Sequence, residues 1–216
     1  MVFETTTIET SYVADISTTF DNAAGHSKLS KTINANIEKA ITTALNSAEN
    51  NDDLNTILNT FNSEYIEFKK EFAEESETVW ELHIETELTY QSETIITIAI
   101  STYEFKGGAH GNDTITFLNL DAKTGVVLTQ NDIIKDLNDF KFLAERHFIK
   151  SLDVENHNLA MEDFFFGKPF QLPENIGFSD DGLVLLYNTY EVASYNEGYT
   201  EFVIPFNELQ SYLIVF

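Results

Sequence analysis

One short loop concentrates the residue types of this sequence that could do chemistry. Its glycines permit positive φ and a close approach of the backbone to another molecule, and its histidine can exchange a proton near neutral pH. The candidate binding residues are Tyr103, Gly107, Gly108, His110 and Gly111. In one interpretation, backbone amides and the His110 imidazole contact a ligand. In the other, the loop is a strained connection between two strands, and His110 latches the fold by bonding to local backbone.

The sequence contains none of the spaced signatures of common catalytic or metal sites. There is no G-x-S-x-G turn, no P-loop and no H-E-x-x-H pair. Cysteine is absent, and none of the five histidines lies at helical ligand spacing from another, so we expect no metal site, no cofactor and no catalytic residue with a known signature.

The alternative interpretation is a carbohydrate-active or peptidoglycan-processing enzyme that uses carboxylates near the His110 loop. Acid–base chemistry on a glycosidic bond needs two carboxylates about 5–10 Å apart. With 36 Asp and Glu residues, such a pair arises easily by chance, so its presence would carry little weight. In this alternative the sugar platforms are aromatic residues, namely Trp80, Tyr187, Tyr190 and Tyr195.

Charge limits the classes of partner. The 216 residues include 12 Lys and Arg against 36 Asp and Glu, a formal charge of 12 − 36 = −24. Hydrophobic residues still make up 43% of the chain, enough for a folded core. Nucleic acid is excluded as a partner because phosphate binding needs clustered cations. No apolar run reaches the roughly 18 residues of a membrane span. If charge attracts a partner, that partner is cationic.

The first half of the chain shows two hydrophobic periods. Apolar residues recur every three or four positions over 27–45 and again after Asp52 and Asp53 to about residue 72, which predicts two helices. From residue 79 to 90 the period is two, and Glu81, His83, Glu85 and Glu87 share the outward face of the predicted strand. Strands are also predicted over 94–105 and 114–120, so three consecutive strands form an antiparallel meander.

In the second half of the chain, helices are again followed by strands. A helix begins near residues 129–132, an amphipathic helix runs from about 138, and a short helix covers 158–166. A β-turn at 180–182 precedes strands over 183–188 and 199–204. The fold class is therefore α+β: N-terminal helices packed on an antiparallel meander, followed by helices and a second set of strands. We divide the chain into subdomains 1–112, which ends in the GGAHG loop, and 113–216, together one compact unit.

The loop and the segments that follow it resemble a known family. Residues 103–111 read Y-x-x-x-G-G-A-H-G, residues 119–132 continue as N-x-D-x-x-T-G-x-x-L-x-x-x-D, and D-G-L, Y-E-x-A-x-Y-x-x-G and I-P-F motifs follow within 181–206. This series is similar to a bacterial extracytoplasmic domain family of unknown function. The family occurs in the lysozyme-sensing anti-sigma factor RsiV and in the non-catalytic region of the peptidoglycan deacetylase PdaC.

The resemblance implies a non-enzymatic binding domain in the periplasm or at the cell surface. Its ligand would be a cationic protein such as lysozyme, or a peptidoglycan fragment. The chain contains no transmembrane segment, and it is compatible with a lipoprotein whose leader has been removed. The family signature carries no assigned catalytic role.

Overall fold

The computed structural model describes residues 1–8, 10–45, 53–72, 78–155, 164–193 and 198–214. Within them the strands are β1 (Phe3–Thr7), β2 (Asp15–Ala23), β3 (Glu81–Gln91), β4 (Ile95–Phe105), β5 (Asn112–Asp121), β6 (Asn175–Ser179), β7 (Gly182–Tyr187) and β8 (Thr200–Pro205). The helices are α1 (Lys28–Ala44), α2 (Leu54–Glu71), α3 (Gln130–Ile133), α4 (Leu137–Glu155) and α5 (Phe206–Leu209). The predicted α+β class is confirmed.

Contacts divide the chain into two compact units. The first contains Met1–Leu88, Ala99–Leu118 and Thr124–Val126, and the second contains Thr89–Ile98, Asn119–Lys123 and Val127–Phe216. A five-stranded sheet has the order β1-β2-β3-β4-β5, and a three-stranded sheet has the order β6-β7-β8. Strands β3, β4 and β5 therefore contribute residues to both units.

The first unit opens with strands, which corrects the prediction that helices come first. β1 pairs antiparallel with β2, and β2 pairs in parallel with β3 in a register that sets Asp15 beside Glu81. β1 was not predicted, because its residues, FETTT, are almost all exposed and show no apolar alternation. β-branched threonines and backbone pairing, rather than a buried face, define this edge strand.

Helices α1 and α2 begin at the predicted residues because each has a side-chain cap. The Ser27 hydroxyl accepts a hydrogen bond from the Ser30 amide at 3.0 Å, and the Asp53 carboxylate accepts one from the Thr56 amide at 2.7 Å. The bond from the Thr56 amide, reinforced by the Thr56 hydroxyl, lowers the pKa of Asp53.

Asn34 connects α1 to β2, because its side-chain amide group bonds both the N–H and the carbonyl of Ala23.

Strand β3 shows the predicted alternation. Leu82 and Ile84 are buried at 1% and 2% exposure, whereas Glu85 and Glu87 are exposed. Three residues connect β3 to β4 and six connect β4 to β5. Parallel neighbours need a crossover of a dozen residues or more, so these connections require antiparallel pairing.

The core of the second unit is aromatic. Phe148 on α4 is fully buried and contacts the rings of Phe164, Phe165, Phe170, Tyr187 and Phe202, with centroids 5.2–6.1 Å apart. β6, β7 and β8 pair antiparallel, and all six residues of β7 are buried. The prediction of a helix over 158–166 falls partly outside the described residues. Its described end is a single 3₁₀ turn, Phe165–Gly167.

Candidate functional site

The signature loop, which we define as residues 106–111, is held at its first residue. The Lys106 ammonium donates to the Glu64 carboxylate of α2 at 3.4 Å and lies 5.2 Å from the centre of the Phe61 ring and 5.7 Å from that of Trp80. These contacts fix the start of the loop against the helix by charge pairing and cation–π attraction.

The predicted glycines serve two different purposes. Gly107 and Gly108 have φ of +91° and +108°, and both lie in open space, so glycine is needed there for backbone conformation. Gly111 is needed for proximity, because a Cβ at this position would lie 2.5 Å from the Tyr103 ring. The structure thus brings together Tyr103 and Gly111, the two ends of the Y-x-x-x-G-G-A-H-G motif.

His110 is exposed in the signature loop. Its Nδ1–H donates to the Gly111 carbonyl oxygen at 3.1 Å. Because a carbonyl oxygen only accepts, this bond assigns a proton to Nδ1. A local bond of this kind is what the latch interpretation describes, and it leaves the ligand-binding interpretation as a prediction.

A row of side chains extends from the loop across the sheet. The Tyr103 ring on β4 stacks on the His83 ring on β3, with centroids 5.8 Å apart and planes 10° apart. His83 Nδ1 lies 2.7 Å from the Ser17 hydroxyl on β2, and His83 Nε2 lies 3.6 Å from a Glu81 carboxylate oxygen. We call Ser17, His83, Tyr103 and Gly111 the polar row.

The contacts run from the Ser17 hydroxyl through the His83 ring to the Glu81 carboxylate. This is the order of nucleophile, base and acid in a catalytic triad. Efficient acyl transfer also needs a water-excluded pocket with donors aimed at the developing oxyanion. Ser17 is exposed, and the side chains of His83 and Glu81 retain 37% and 38% of their exposure. We therefore assign the polar row a positioning role: His83, fixed by Ser17, supports the Tyr103 ring against Gly111.

Carboxylates occupy the same outward face of the sheet. We define the acidic face as Asp15, Glu81, Glu85 and Glu87. Asp15 is the register partner of Glu81, so the two side chains project to the same side from adjacent strands, which lie about 4.8 Å apart. Like charges placed opposite each other in a sheet repel and reduce stability. Binding of a positively charged group here would relieve that repulsion.

The aromatic residues of the enzyme alternative lie in different environments. Trp80 packs against Phe61, Tyr65 and Phe68 in the first unit, with ring centroids 5.3–5.7 Å apart. Tyr187 is buried, and its hydroxyl donates to the Gln171 carbonyl. Burial, and secondarily the charge of Glu191, raises the pKa of Tyr187. Tyr190 is 56% exposed, and Tyr195 lies outside the described residues.

The described residues contain neither a cluster of metal-ligating side chains nor a membrane-spanning helix. In that part of the chain, no three His, Asp or Glu side chains come together as ligands for a metal ion. No helix there is long and apolar enough to cross a membrane.

Sequence reasoning missed the partners of Tyr103. His83 was predicted only as part of an outward-facing strand, and Ser17 was not considered. Their contact depends on the parallel pairing of β2 with β3, two strands separated by both N-terminal helices. A one-residue change of register would have turned either side chain to the opposite face, and nothing in the local sequence specifies that register.

Replacing Gly111 by alanine should cost about 1–2 kcal/mol of unfolding free energy, because the new methyl group displaces the Tyr103 ring from its place on His83. Urea denaturation measures this cost. In a Tyr103→Ala background the same substitution should cost much less, because the ring is gone. An equal cost in both backgrounds would contradict the assigned contact.

Comparisons with known proteins match both halves of the chain. Residues 9–113 match the family model described as Deacetylase PdaC, and residues 128–207 match the model described as Protein of unknown function (DUF3298). A comparison with curated proteins found no match.

Two solved structures share the fold. A DUF3298 family member from Bacteroides fragilis is 20% identical with a TM-score of 0.73, and the alignment covers 98% of this chain and 93% of that one. A DUF3298 family protein from Pseudomonas aeruginosa PAO1 is 16% identical with a TM-score of 0.65, covering 98% of this chain and 92% of that one. At these identities the likeness concerns the fold alone.

Proposed function

This chain carries a PdaC-type segment followed by a DUF3298 segment, as its motifs indicated, and from that premise we propose that it is a non-enzymatic extracytoplasmic domain that binds a cationic protein such as lysozyme. The observation that carries the proposal is the acidic face. Its carboxylates stand on neighbouring strands of one sheet, in a chain of net charge −24.

Charge would act at two distances. The net charge of the whole chain attracts and orients a basic protein before contact, which raises the association rate. At contact, only carboxylates on the docking face gain from lysine or arginine side chains, because charges more than a Debye length away are screened. The acidic face therefore supplies specificity, and the rest of the negative charge supplies steering.

The polar row gives the proposed face a second kind of contact. Tyr103 is half-buried, stacked on His83 and fixed against Gly111, so its ring is held at little further entropic cost on binding. The Glu81 carboxylate lies 3.6 Å from His83 Nε2, so an arginine that pairs with Glu81 would lie beside the stacked rings of His83 and Tyr103. Under this proposal the glycines of the signature loop shape the edge of the face.

The test is a calorimetric titration with hen lysozyme of two variants that lose the same charge. The acidic-face variant carries Glu81→Gln, Glu85→Gln and Glu87→Gln. The control carries Asp180→Asn, Asp181→Asn and Glu201→Gln, which are exposed residues of the second unit. Both change the net charge from −24 to −21. We expect the first to weaken binding at least about tenfold, which corresponds to about 1.4 kcal/mol, and the control to stay within about twofold of wild type.

Equal weakening in both variants would show that only net charge matters and would overturn the assignment of the face. If wild type binds a muropeptide instead of lysozyme, the proposed ligand class is wrong. Hydrolysis or deacylation of that muropeptide would support the enzyme alternative.

A further inference from the structure

Non-glycine residues with left-handed backbone occur, within the described residues, at three positions: Phe165, Phe166 and Tyr190. Phe165, Phe166 and Gly167 are consecutive and have φ of +59°, +53° and +77°. L-residues avoid this region because Cβ crowds the following carbonyl, and bulky residues are genuine outliers there. Two successive phenylalanines in a left-handed turn are therefore strained, and another interaction must compensate for that strain.

Burial in the core compensates for the strain at the first of the two phenylalanines. Phe165 is 4% exposed, and its ring packs on Phe148 and Phe170. Phe166 is 67% exposed, so burial does not explain why it is an aromatic residue. Strain that folding does not need is characteristic of ligand-binding segments.

The strained segments adjoin one another. The Phe165 amide donates to the Val192 carbonyl oxygen at 2.7 Å, which ties the left-handed turn to the segment that carries Tyr190 and Glu191. Tyr190 is 56% exposed and also left-handed, with φ of +70°. Two exposed aromatic side chains are thus presented by two adjoining segments of unusual backbone.

A cavity of about 300 Å³ opens beside them, at the lower end of the size range of small-molecule sites. Phe166 forms part of its wall. The polar lining comprises Lys168, Gln171, Glu174 and Glu191. All four of these residues are exposed.

This lining restricts the chemistry of the ligand. Two carboxylates against one ammonium, in a chain of charge −24, disfavour a phosphate or other anion. Polar side chains make up a large part of the lining, which favours a ligand with hydrogen-bonding groups over a purely apolar one. An aromatic face carries partial negative charge and attracts the slightly positive C–H face of a flat, saturated ring. A neutral ring with several hydroxyl groups satisfies all three conditions.

We infer that the cavity beside Phe166, which we call the aromatic cavity, binds a neutral pyranose sugar. The sugar stacks its C–H face on Phe166, and Gln171, Glu174 and Glu191 exchange hydrogen bonds with its hydroxyl groups. This inference concerns the second unit only and does not depend on the proposed binding of a cationic protein.

The experiment is saturation-transfer NMR and titration of the whole chain with two neutral trisaccharides, tri-N-acetylchitotriose and cellotriose. Sorbitol is the control ligand, because it has the hydroxyl groups but no flat C–H face. We expect binding of at least one trisaccharide and none of sorbitol. Equal binding of sorbitol, or no transfer to either sugar, would overturn the inference.

The decisive variant is Phe166→Gly, because glycine accepts the left-handed backbone without strain. We expect the variant to melt at the same or a higher temperature and to bind the trisaccharide at least about fivefold more weakly. Phe142→Ala is the matched control, since Phe142 lies on α4 with 68% exposure, and it should leave sugar binding unchanged.

A lower melting temperature for Phe166→Gly would show that the ring serves folding, and unchanged affinity would show that the ring does not touch the sugar. Either result contradicts the inference. Gln171→Ala supplies an independent variant that leaves the turn intact, and it should weaken binding about threefold or more. If Gln171→Ala and Phe166→Gly both bind like wild type, the sugar lies elsewhere.

Discussion

Replacing Phe148 by alanine should lower the free energy of unfolding of the second unit by about 3–5 kcal/mol. The ring is fully buried and contacts five other aromatic rings, so its removal forfeits its own transfer energy and leaves a cavity in the middle of the cluster. Rigid aromatic neighbours that also contact one another collapse poorly into such a space. Urea denaturation followed by circular dichroism measures the loss.

Phe142→Ala is the control on the same helix. Phe142 is 68% exposed, so its removal should change the free energy of unfolding by less than about 0.5 kcal/mol. Similar losses for the two variants would mean that α4 is rotated relative to the arrangement described, and that Phe148 is not the centre of the core.

Replacing Gly182 by alanine should cost about 3 kcal/mol or more. A Cβ at this position would lie 2.1 Å from the Ile204 carbonyl oxygen and 2.9 Å from Pro205 Cα. Both are backbone atoms of β8. Unlike a side chain, a paired strand cannot move aside without breaking hydrogen bonds. The alanine therefore separates β7 from β8, where Gly182 is the register partner of Pro205.

Gly198→Ala is the control, because it measures the cost of the left-handed backbone conformation without a steric clash. Gly198 has φ of +67° with nothing within 4 Å of its ideal Cβ, so alanine there should cost only about 1 kcal/mol. Comparable losses at the two positions, measured by thermal denaturation, would contradict the close approach of β7 and β8. The clash also gives a physical reason for the glycine of the D-G-L motif.

The elements with strong periodicity and explicit caps could be predicted from the sequence. Ser27 and Asp53 begin α1 and α2 because their side chains satisfy amides that the helix itself leaves unpaired. The alternation of Leu82 and Ile84 with charged residues identified β3 and its exposed face. In each case the information lies within one element.

The elements that could not be predicted depend on distant partners or on strain. β1 exists because β2 pairs with it, and β6 was missed because a five-residue strand containing Gly177 shows too little alternation. The left-handed turn at Phe165–Gly167 contradicts the local preference of its residues, and only the surrounding core stabilises it.

The candidate site was predictable only where its residues lie close together in the sequence. The run of glycines marked the signature loop, and Tyr103 with Gly111 emerged as a contacting pair. The support of Tyr103 by His83 and Ser17 required the register of β2 and β3, which the sequence does not express locally.

The most direct test of the account is a calorimetric titration of the wild-type chain with lysozyme at about 0.15 M salt, where the Debye length is about 8 Å. Cytochrome c, a basic protein of unrelated fold, is titrated in parallel. We predict saturable binding of lysozyme at a fixed stoichiometry and at least about tenfold weaker binding of cytochrome c. Equal, weak and salt-sensitive heats for both proteins would contradict it and would reduce the charge of −24 to a determinant of solubility.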